Sequence, residues 1–463
     1  MSQVPAQGGR RRDGQAIAFL LAVIIARLAF AALVYARPLL ALQNDSDRYI
    51  PMANGILSGQ AYSWNTERPG ELLNTVGYPL FLAGVYLVGG SAPGTVAIAQ
   101  LLLSGALALA LYLGLRSSVG IAAALGAAVI LAVDPLTILW SLTILTETVF
   151  AACLGLGALL LVRWSASRRM QTLLLSGICL GLSAMVKPYA LLILGTWAVA
   201  VALMPSDYDA APLKNALRRL RGAGIFVLPA LALAAPWVVR NTLLWNCPSL
   251  SSVDRVTMRD YVAAKVVGEY EHISLEEAQA QLRESDPGVC PGSNAKYLDV
   301  IIAHPQIYAR LHLAGTIPVL LGTSFDRWIE LFGVDYTLPD LWRPFMDGGP
   351  SEVASVLARQ LNDFPAPVLL MVALIAWQLL IYALAVLGVL AYRGLNSIPI
   401  RWNIIVVAIG VLILMLTPGQ GGHERFRVPA QPLLAILAAY GLAWSVLPWI
   451  RTRVRRHTSS HAS

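Results

Sequence analysis

The sequence predicts an all-α membrane protein whose chain crosses the bilayer many times. Hydrophobic residues make up 57% of the 463 positions and charged residues only 13%, with a mean hydropathy of +0.64. A soluble domain needs more polar residues than this to cover its surface. The apolar residues also occur in long runs that are bordered by short polar segments. A polytopic helical protein is therefore the expected fold class.

The number of spans follows from the lengths of these runs. A helix needs roughly 17 to 25 apolar residues to cross ~30 Å of hydrocarbon. Seven stretches are long enough, at 15–37, 94–115, 137–162, 222–239, 366–392, 402–418 and 428–449. Three shorter runs, at 118–134, 171–186 and 188–204, are further candidates. The sequence thus predicts about ten transmembrane helices, give or take two.

The basic residues predict the orientation of the chain. Lys and Arg number 34 against 26 Asp and Glu, a net charge of +8, which by itself could indicate a nucleic-acid partner. Their distribution indicates a membrane topology instead, because the clusters fall on one side if ten spans alternate. These clusters are Arg10 to Arg12, Arg116, Arg163 with Arg168 and Arg169, Lys214 with Arg218, Arg219 and Arg221, Arg393 with Arg401, and Arg451 to Arg456. We therefore expect a multi-pass protein of the cytoplasmic (inner) membrane with both termini cytoplasmic and no nucleic-acid partner.

This topology divides the chain into three parts. Residues 1–239 form an N-terminal membrane module with a first outward loop at 38–93. Residues 240–365 form an outward, mostly helical segment, and residues 366–463 supply the last membrane helices and a basic cytoplasmic tail. Counting 301–332 as a further span would place the C-terminal arginines outside, so the charge rule favours an interfacial helix there. Ser274 and Glu277 have the spacing of a helix capping box.

The first outward loop combines an amphipathic helix with acidic residues. Tyr49, Met52, Ala53, Ile56 and Leu57 repeat at helical spacing, which is typical of a helix that lies on the membrane surface. The apolar piece 78–88 is too short to cross the bilayer. The acidic pair precedes the helix: Asp47 can act as a helix cap, whereas Asp45 lies further from the helix and is the better candidate for a proton acceptor.

Charged residues in or beside apolar runs mark a candidate site. Inserting each charged side chain into the membrane costs roughly 2.5 to 3.5 kcal/mol, so its presence there indicates a structural or functional role. They are Arg27, Asp134, Glu147, Lys187 and Arg240, and all but Arg27 fall on the side of Asp45. Ordinary alternatives stay open, since a carboxylate at a helix N-terminus is stabilised by the dipole and a lysine at a helix end can extend to the interface.

Two further features belong to the outward side. The glycine-rich stretch 419–429 contains His423, Glu424, Arg425 and Arg427, and two arginines in so short a loop can bind phosphate or lipid headgroups. Cys247 and Cys290 share the long outward segment, where they can pair in an oxidising compartment or stay free.

The order and spacing of several short motifs resemble the GT-C fold glycosyltransferases that use polyprenyl-phosphate sugars. This group includes lipid A aminoarabinose transferase, the protein O-mannosyltransferases and galacturonosyltransferase-like proteins. The resemblance is carried by Asp45-Ser46-x-x-Tyr49, Gly77-Tyr78-Pro79-Leu80-Phe81, Thr146-Glu147-Thr148, Lys187-Pro188, Pro236-Trp237 with Arg240-Asn241, and Arg425-Phe426-Arg427-x-Pro429. Many relatives have adjacent Asp-Glu in the first loop, so Asp47 remains a rival to Asp45.

The resemblance implies a membrane enzyme with a lipid-borne donor. Asp45 would be the catalytic carboxylate and general base of an inverting transfer, and Glu147 the second acidic position. Donor phosphate would contact Lys187, Arg240, Arg425 and Arg427, and substrate would contact Tyr49, Tyr78, His423 and Glu424. The partners would be a polyprenyl-phosphate sugar, membrane lipid and a glycan, lipid or protein acceptor. No cofactor is required on this hypothesis, although a divalent metal stays open.

Two other functions compete with this hypothesis. A transporter or flippase of lipid-linked sugars would also need cations for a phosphate, but it is expected to show internal symmetry and broken helices near the midplane, which the sequence does not display. A non-catalytic assembly subunit would have no need for Asp45 and Glu147 together. The sequence also lacks a glycine-rich nucleotide-binding motif, which agrees with a lipid-linked donor.

Overall fold

A computed structural model describes residues 6–43, 45–60, 62–63, 72–204, 212–286, 288, 290, 294–336 and 342–448. All regular structure in these ranges is helical, so the predicted all-α class is confirmed. The basic cluster from Arg451 to Arg456 lies outside the described residues. The predicted division of the chain at residues 239 and 365 stays a prediction.

Eleven α-helices make up the first half of the chain. They are α1 (Ala6–Arg27), α2 (Ala31–Ala36), α3 (Ser46–Ser58), α4 (Gly77–Gly89), α5 (Pro93–Val119), α6 (Ile121–Val133), α7 (Pro135–Ser141), α8 (Glu147–Ser167), α9 (Met170–Val186), α10 (Ala190–Leu203) and α11 (Pro212–Trp245). The second half contains α12 (Val253–Val256), α13 (Ala264–Glu271), α14 (Leu275–Ser285), α15 (Ala295–Ala303), α16 (Pro305–Leu321), α17 (Phe325–Phe332), α18 (Trp342–Asp363), α19 (Pro365–Leu390), α20 (Ile398–Leu416) and α21 (Gln431–Gly441).

Seven stretches in the described ranges are long and apolar enough to cross a membrane. They are Arg11–Ala36, Pro93–Val119, Glu147–Ser167, Asn215–Trp245, Pro365–Gly394, Ile398–Leu416 and Glu424–Val446. The pair α6 and α7, bent by 46°, would be an eighth. Three shorter apolar helices, α4, α9 and α10, accompany them. Each of the ten predicted stretches therefore contains a helix, and the protein is a multi-pass membrane protein.

One predicted span is wrong in detail. The stretch 137–162 is not one helix, because the chain leaves helical geometry between α7 and α8. Asp134 starts α7: its Oδ2 accepts hydrogen bonds from the Thr137 backbone N–H at 2.8 Å and the Thr137 hydroxyl at 2.6 Å. Residues 142–146 then form a bend, and Glu147 is the first residue of α8. The break places a carboxylate at the end of a membrane helix.

The polar segment between α11 and α18 is a helical unit tied by ion pairs and one disulfide. The structure joins Cys247 to Cys290, and the predicted capping box of Ser274 and Glu277 is present at the start of α14. Burial alone would raise the pKa of Asp286, but bonds from Lys296, Tyr297 and Arg255 hold it well below its usual range. A disulfide and a buried cluster of charged side chains thus hold this segment together.

The polar segment also contacts the first loop. The Ser251 hydroxyl donates to the Leu73 carbonyl at 2.5 Å, and the Ser252 N–H donates to the Leu72 carbonyl at 3.1 Å. On the other side of this loop, α3 packs on α4, with Met52 and Ala53 fully buried. The amphipathic helix predicted from Tyr49 to Leu57 is confirmed as α3. These contacts hold the residues around Asp45 against the membrane helices.

Candidate active site

Four charged side chains from distant parts of the sequence form one continuous array. Arg425 donates from Nη2 to Oδ2 of Asp45 at 3.1 Å, and its Nε lies 3.7 Å from Oε1 of Glu147. Lys187 donates from Nζ to the same Glu147 oxygen at 2.9 Å. Two carboxylates and two cations therefore alternate, in the order Asp45, Arg425, Glu147, Lys187. We call these residues the charged array.

The carboxylates of Asp45 and Glu147 differ in solvent exposure, and this difference suits them to different roles. The Glu147 side chain is 2% exposed and contacts both cations, whereas the Asp45 side chain is 34% exposed and pairs with Arg425. A general base must reach the proton that it removes. Asp45 can meet a substrate hydroxyl, while Glu147 is suited to hold Lys187 and Arg425 in position.

The start of α3 positions Asp45. The Ser46 hydroxyl donates to the Ile144 carbonyl at 2.9 Å and accepts from the Gln43 N–H at 2.9 Å. The Ile144 N–H in turn donates to the Ala41 carbonyl at 2.8 Å. Ser46 thus fastens the first loop to the bend that precedes Glu147, which explains how Asp45 and Glu147 come to flank one arginine.

Asp47 lies outside the charged array. Its side chain is exposed, and within the described ranges no ion pair or hydrogen bond of the array includes it. Asp47 stands in the first turn of α3, where a carboxylate interacts favourably with the helix dipole. The geometry favours Asp45 over its rival.

The turn after α9 positions Lys187. Gly77 approaches the backbone of Met185 so closely that a side chain at residue 77 would collide with the Met185 carbonyl. The Thr75 hydroxyl donates to the Val186 carbonyl at 3.2 Å. The first loop therefore packs against the end of α9 just before Lys187. The Lys187 ammonium also lies 5.2 Å from the Phe426 ring centre. A close backbone approach is the physical reason for glycine in the Gly77-Tyr78-Pro79 motif.

Tyr78 is buried in the protein, and its predicted substrate contact stays a prediction. Its side chain is fully buried, and its hydroxyl donates to Oε1 of Gln100 at 3.1 Å. Gln100 also donates from Nε2 to the carbonyls of Ser141 and Thr143, at 3.0 and 2.7 Å. Gln100 therefore joins α4 to the bend before Glu147. Gln100 is uncharged, so the criterion of charged residues within apolar runs does not select it.

Arg427 contacts the end of a helix. The residue is 1% exposed, and its guanidinium donates to the carbonyls of Val319, Leu320 and Gly322 at 2.6, 2.9 and 2.7 Å. Val319 and Leu320 lie in the last turn of α16, whose carbonyls a helix leaves without internal partners, and Gly322 is the next residue after it. Arg427 therefore caps a helix in this geometry, and its predicted phosphate contact stays a prediction.

The remaining predicted residues lie around the charged array. Tyr49 packs edge-on against Tyr78 with ring centres 5.0 Å apart. Burial is the main cause that raises the pKa of the Tyr49 hydroxyl well above its usual range, and the nearby Asp45 and Glu147 carboxylates raise it further. Burial lowers the pKa of His423, whose Nδ1 accepts from the Arg425 N–H at 3.2 Å. Glu424 accepts from the Ser324 hydroxyl at 3.0 Å. His423 and Glu424 thus stabilise the backbone and position of the loop that contains Arg425.

Arg240 belongs to a separate cluster. Its guanidinium carbon lies 4.4 Å from the Trp237 ring centre and 5.5 Å from that of Tyr62, and Nη1 donates to the Asn241 side chain at 2.7 Å. In the described part of the chain, Glu147 pairs with Lys187 and Arg425, and Asp45 pairs with Arg425. The predicted phosphate-binding set is therefore divided, with Lys187 and Arg425 inside the array and Arg240 apart from it. No group of three or more His, Cys, Asp or Glu side chains in the described part of the chain has a metal-binding arrangement.

Fold and site together describe a multi-pass helical membrane protein with a charged array where several of its helices end. Residues 74–239 match the family model of the dolichyl-phosphate-mannose-protein mannosyltransferases. The match covers about a third of the chain, and within those residues it confirms the resemblance that the motifs predict. It includes Glu147 and Lys187 but neither Asp45 nor Arg425. No curated protein matches the chain.

Two solved structures are similar to the chain at low identity. The oligosaccharyltransferase of Archaeoglobus fulgidus in its apo form is 16% identical, with a TM-score of 0.47, over 96% of this chain and 52% of that protein. ArnT from Cupriavidus metallidurans, bound to undecaprenyl phosphate, is 14% identical, with a TM-score of 0.40, over 93% of this chain and 76% of that protein. The chain thus spans about half the length of the oligosaccharyltransferase. At TM-scores below 0.5, neither likeness assigns a residue role here.

Proposed function

We propose that this protein is an integral membrane glycosyltransferase that transfers a sugar from a polyprenyl-phosphate donor to an acceptor hydroxyl. The observation that carries the proposal is the charged array, in which the accessible carboxylate of Asp45 is paired with Arg425 and a buried glutamate holds both this arginine and Lys187. The family match over residues 74–239 supports the same class of reaction. A lipid-linked donor also suits a site that lies where membrane helices end.

In the proposed reaction, Asp45 acts as general base. Its carboxylate accepts the proton of the acceptor hydroxyl as the hydroxyl oxygen attacks the anomeric carbon. The bond between that carbon and the phosphate oxygen breaks, and its electron pair leaves with the polyprenyl phosphate. Attack opposite the leaving group inverts the anomeric centre. One proton moves to Asp45, and one lipid phosphate is released.

Lys187 and Arg425 are the groups proposed to stabilise the leaving phosphate. Negative charge grows on the phosphate as the bond breaks, and cations already in position stabilise it without reorganising. Arg425 spans Asp45 and Glu147, so the same guanidinium can orient the base and contact the phosphate. Glu147 keeps both cations in place from its buried position.

The proposed location of the site is the extracytoplasmic face of the cytoplasmic membrane, with both termini cytoplasmic. The basic clusters support this orientation. The disulfide between Cys247 and Cys290 supports it independently, because disulfides persist in oxidising compartments and these cysteines lie in the polar segment on the site's side.

A direct transfer assay tests the proposal. Purified protein in proteoliposomes is incubated with radiolabelled polyprenyl-phosphate sugars and a cell-envelope extract. We expect label to move from the donor to an acceptor. Donor that crosses the bilayer without loss of its sugar would instead identify the competing transporter, and the absence of both results would contradict an enzyme.

Substitution of Lys187 tests the phosphate contact. We expect Lys187→Ala to weaken donor use, because the change removes one of two cations beside the proposed phosphate position. The measurement is the apparent donor affinity from a titration of lipid-linked sugar in detergent. Lys187→Arg, which keeps the charge, should retain more affinity, and Arg310→Ala, which disrupts an exposed ion pair with Glu269, should have no effect. An unchanged affinity in Lys187→Ala would rule out the phosphate contact.

A further inference from the structure

A small cavity lies where the start of α7, the turn after α16, helix α19 and the loop of Arg425 meet. Its polar lining residues are Asp134, Thr323, Trp377, Gln378 and Arg427. The centre of a water-sized sphere can occupy about 10 Å³ of it, which is room for one water molecule and for no larger ligand. We propose that this cavity binds one water molecule, which joins the Asp134 carboxylate to the Arg427 guanidinium. The proposal does not depend on the proposed transferase activity.

Two buried side chains of the lining have a nitrogen without an acceptor. Arg427 is 1% exposed, and its two terminal nitrogens donate to the carbonyls at the end of α16, but its Nε has no hydrogen-bond partner among the described residues. Gln378 is 4% exposed, and its Oε1 accepts from Gln431 at 3.3 Å. Its Nε2 likewise has no partner in the described part of the chain. Because a buried donor is costly to leave unpaired, both nitrogens require an acceptor.

The Asp134 carboxylate supplies the third group of the site. Its Oδ2 accepts both bonds from Thr137, and its Oδ1 accepts from the Trp377 indole at 3.1 Å. Each carboxylate oxygen has two lone pairs, so Oδ1 can accept one bond more. A water molecule can accept from Arg427 and Gln378 and donate to Asp134, which gives it three partners, the usual number for a buried water. A cation would face the N–H donors and an anion the carboxylate, so water suits this lining better than either.

Asp134 also balances the charge of Arg427. The carbonyls at the end of α16 accept hydrogen bonds from the guanidinium but carry no net charge, and a buried charge is costly without an opposite one. The Asp134 carboxylate interacts electrostatically with the Arg427 guanidinium. A water between the two groups adds hydrogen bonds to this attraction, so the charges stabilise each other without direct contact.

The water site has a consequence for the segment that carries Arg425. Arg425 and Arg427 stand two residues apart in the short 3-10 helix Glu424–Ala430. Asp134 starts α7, and Gln378 belongs to α19. The bridging water therefore fastens the segment of Arg425 to the start of α7 and to α19, in addition to the direct bonds between Arg427 and the end of α16.

Cryo-electron microscopy of the full-length protein in lipid nanodiscs tests the water directly, at a resolution that shows ordered waters. We expect one density peak within about 2.7 to 3.2 Å of Arg427 Nε, Gln378 Nε2 and an Asp134 oxygen. Gln378→Met, which removes one partner and places an apolar side chain against the cavity, should abolish the peak. A cavity without density, with Arg427 and Gln378 bonded directly to Asp134 or to the nearby Tyr382 hydroxyl, would overturn the proposal.

A double-mutant cycle tests the charge pair. Asparagine caps a helix about as well as aspartate, so Asp134→Asn keeps the start of α7 and removes only the charge. We expect its unfolding midpoint in detergent to fall by roughly 5 °C or more, and by much less when Arg427→Gln is also present. The cycle separates Arg427 from Arg27, which also interacts electrostatically with Asp134. Asp326→Asn, on an exposed side chain, is the control and should leave the midpoint unchanged.

Equal falls in both backgrounds would refute the charge pair between Asp134 and Arg427. If a variant does not fold, the density of the wild-type protein at the cavity still decides the proposal.

Discussion

Replacing Asp45 by Asn is expected to reduce sugar transfer by ~10² or more, the range for loss of a general base. The amide keeps the shape of the side chain and can still accept a bond from Arg425, but it cannot take a proton from the acceptor hydroxyl. Expression and thermal stability should stay close to those of the wild type, because Asp45 is partly exposed and Ser46, not Asp45, fastens the loop. The measurement is the initial rate of transfer at saturating donor.

Asp47→Asn is the matched control for this experiment. It makes the same chemical change two residues away, on an exposed side chain outside the charged array. We expect its rate to equal that of the wild type. Near-normal transfer by Asp45→Asn would refute the assignment, and loss of transfer in Asp47→Asn alone would move the role of base to Asp47.

The second large effect is expected on stability. Arg427→Ala removes the donors that bond to the Val319, Leu320 and Gly322 carbonyls, although Leu320 keeps its bond from Tyr382. A buried acceptor left without a partner costs roughly 1 to 3 kcal/mol. We therefore expect the free energy of unfolding to fall by about 3 kcal/mol or more, and the apparent midpoint of thermal unfolding in detergent to fall with it.

The neighbouring arginine supplies the comparison. Arg425→Ala should lower transfer strongly with a smaller loss of stability, because Arg425 contacts side chains of the array and not the end of a helix. Arg427→Lys should recover only part of the stability, since one ammonium cannot reproduce the fork of a guanidinium. If Arg427→Ala unfolded like the wild type, the capping role would be wrong.

The helices of the fold could be predicted from the sequence because apolar stretches long enough to cross the hydrocarbon must be helical. All ten predicted apolar stretches contain a helix, since a chain in lipid must satisfy its own backbone hydrogen bonds. The break between α7 and α8 was not predicted. Residues 142–146 are apolar or neutral, so hydropathy does not distinguish them from a helix. The bend is visible only in the structure, where Gln100 and Ser46 bond to its carbonyls.

The site was predicted in part. Glu147 and Lys187 could be selected because charges beside apolar runs are costly and therefore conspicuous. Asp45 was selected from the acidic pair of the first loop, and Arg425 and Arg427 were selected from the short glycine-rich stretch. The sequence does not show that backbone carbonyls bind the Arg427 guanidinium. Tyr78 was chosen from a motif whose tyrosine is fully buried. A sequence shows that a polar group needs a partner, but not whether that partner is substrate or protein.

The side-chain amide of Gln100 has a mechanical consequence. It bonds to Tyr78 on one side and to the Ser141 and Thr143 carbonyls on the other. A ligand that pushes on α4 therefore cannot displace Tyr78 without pulling on the bend that leads into Glu147. One neutral side chain thus links the position of α4 to that of the bend before the charged array.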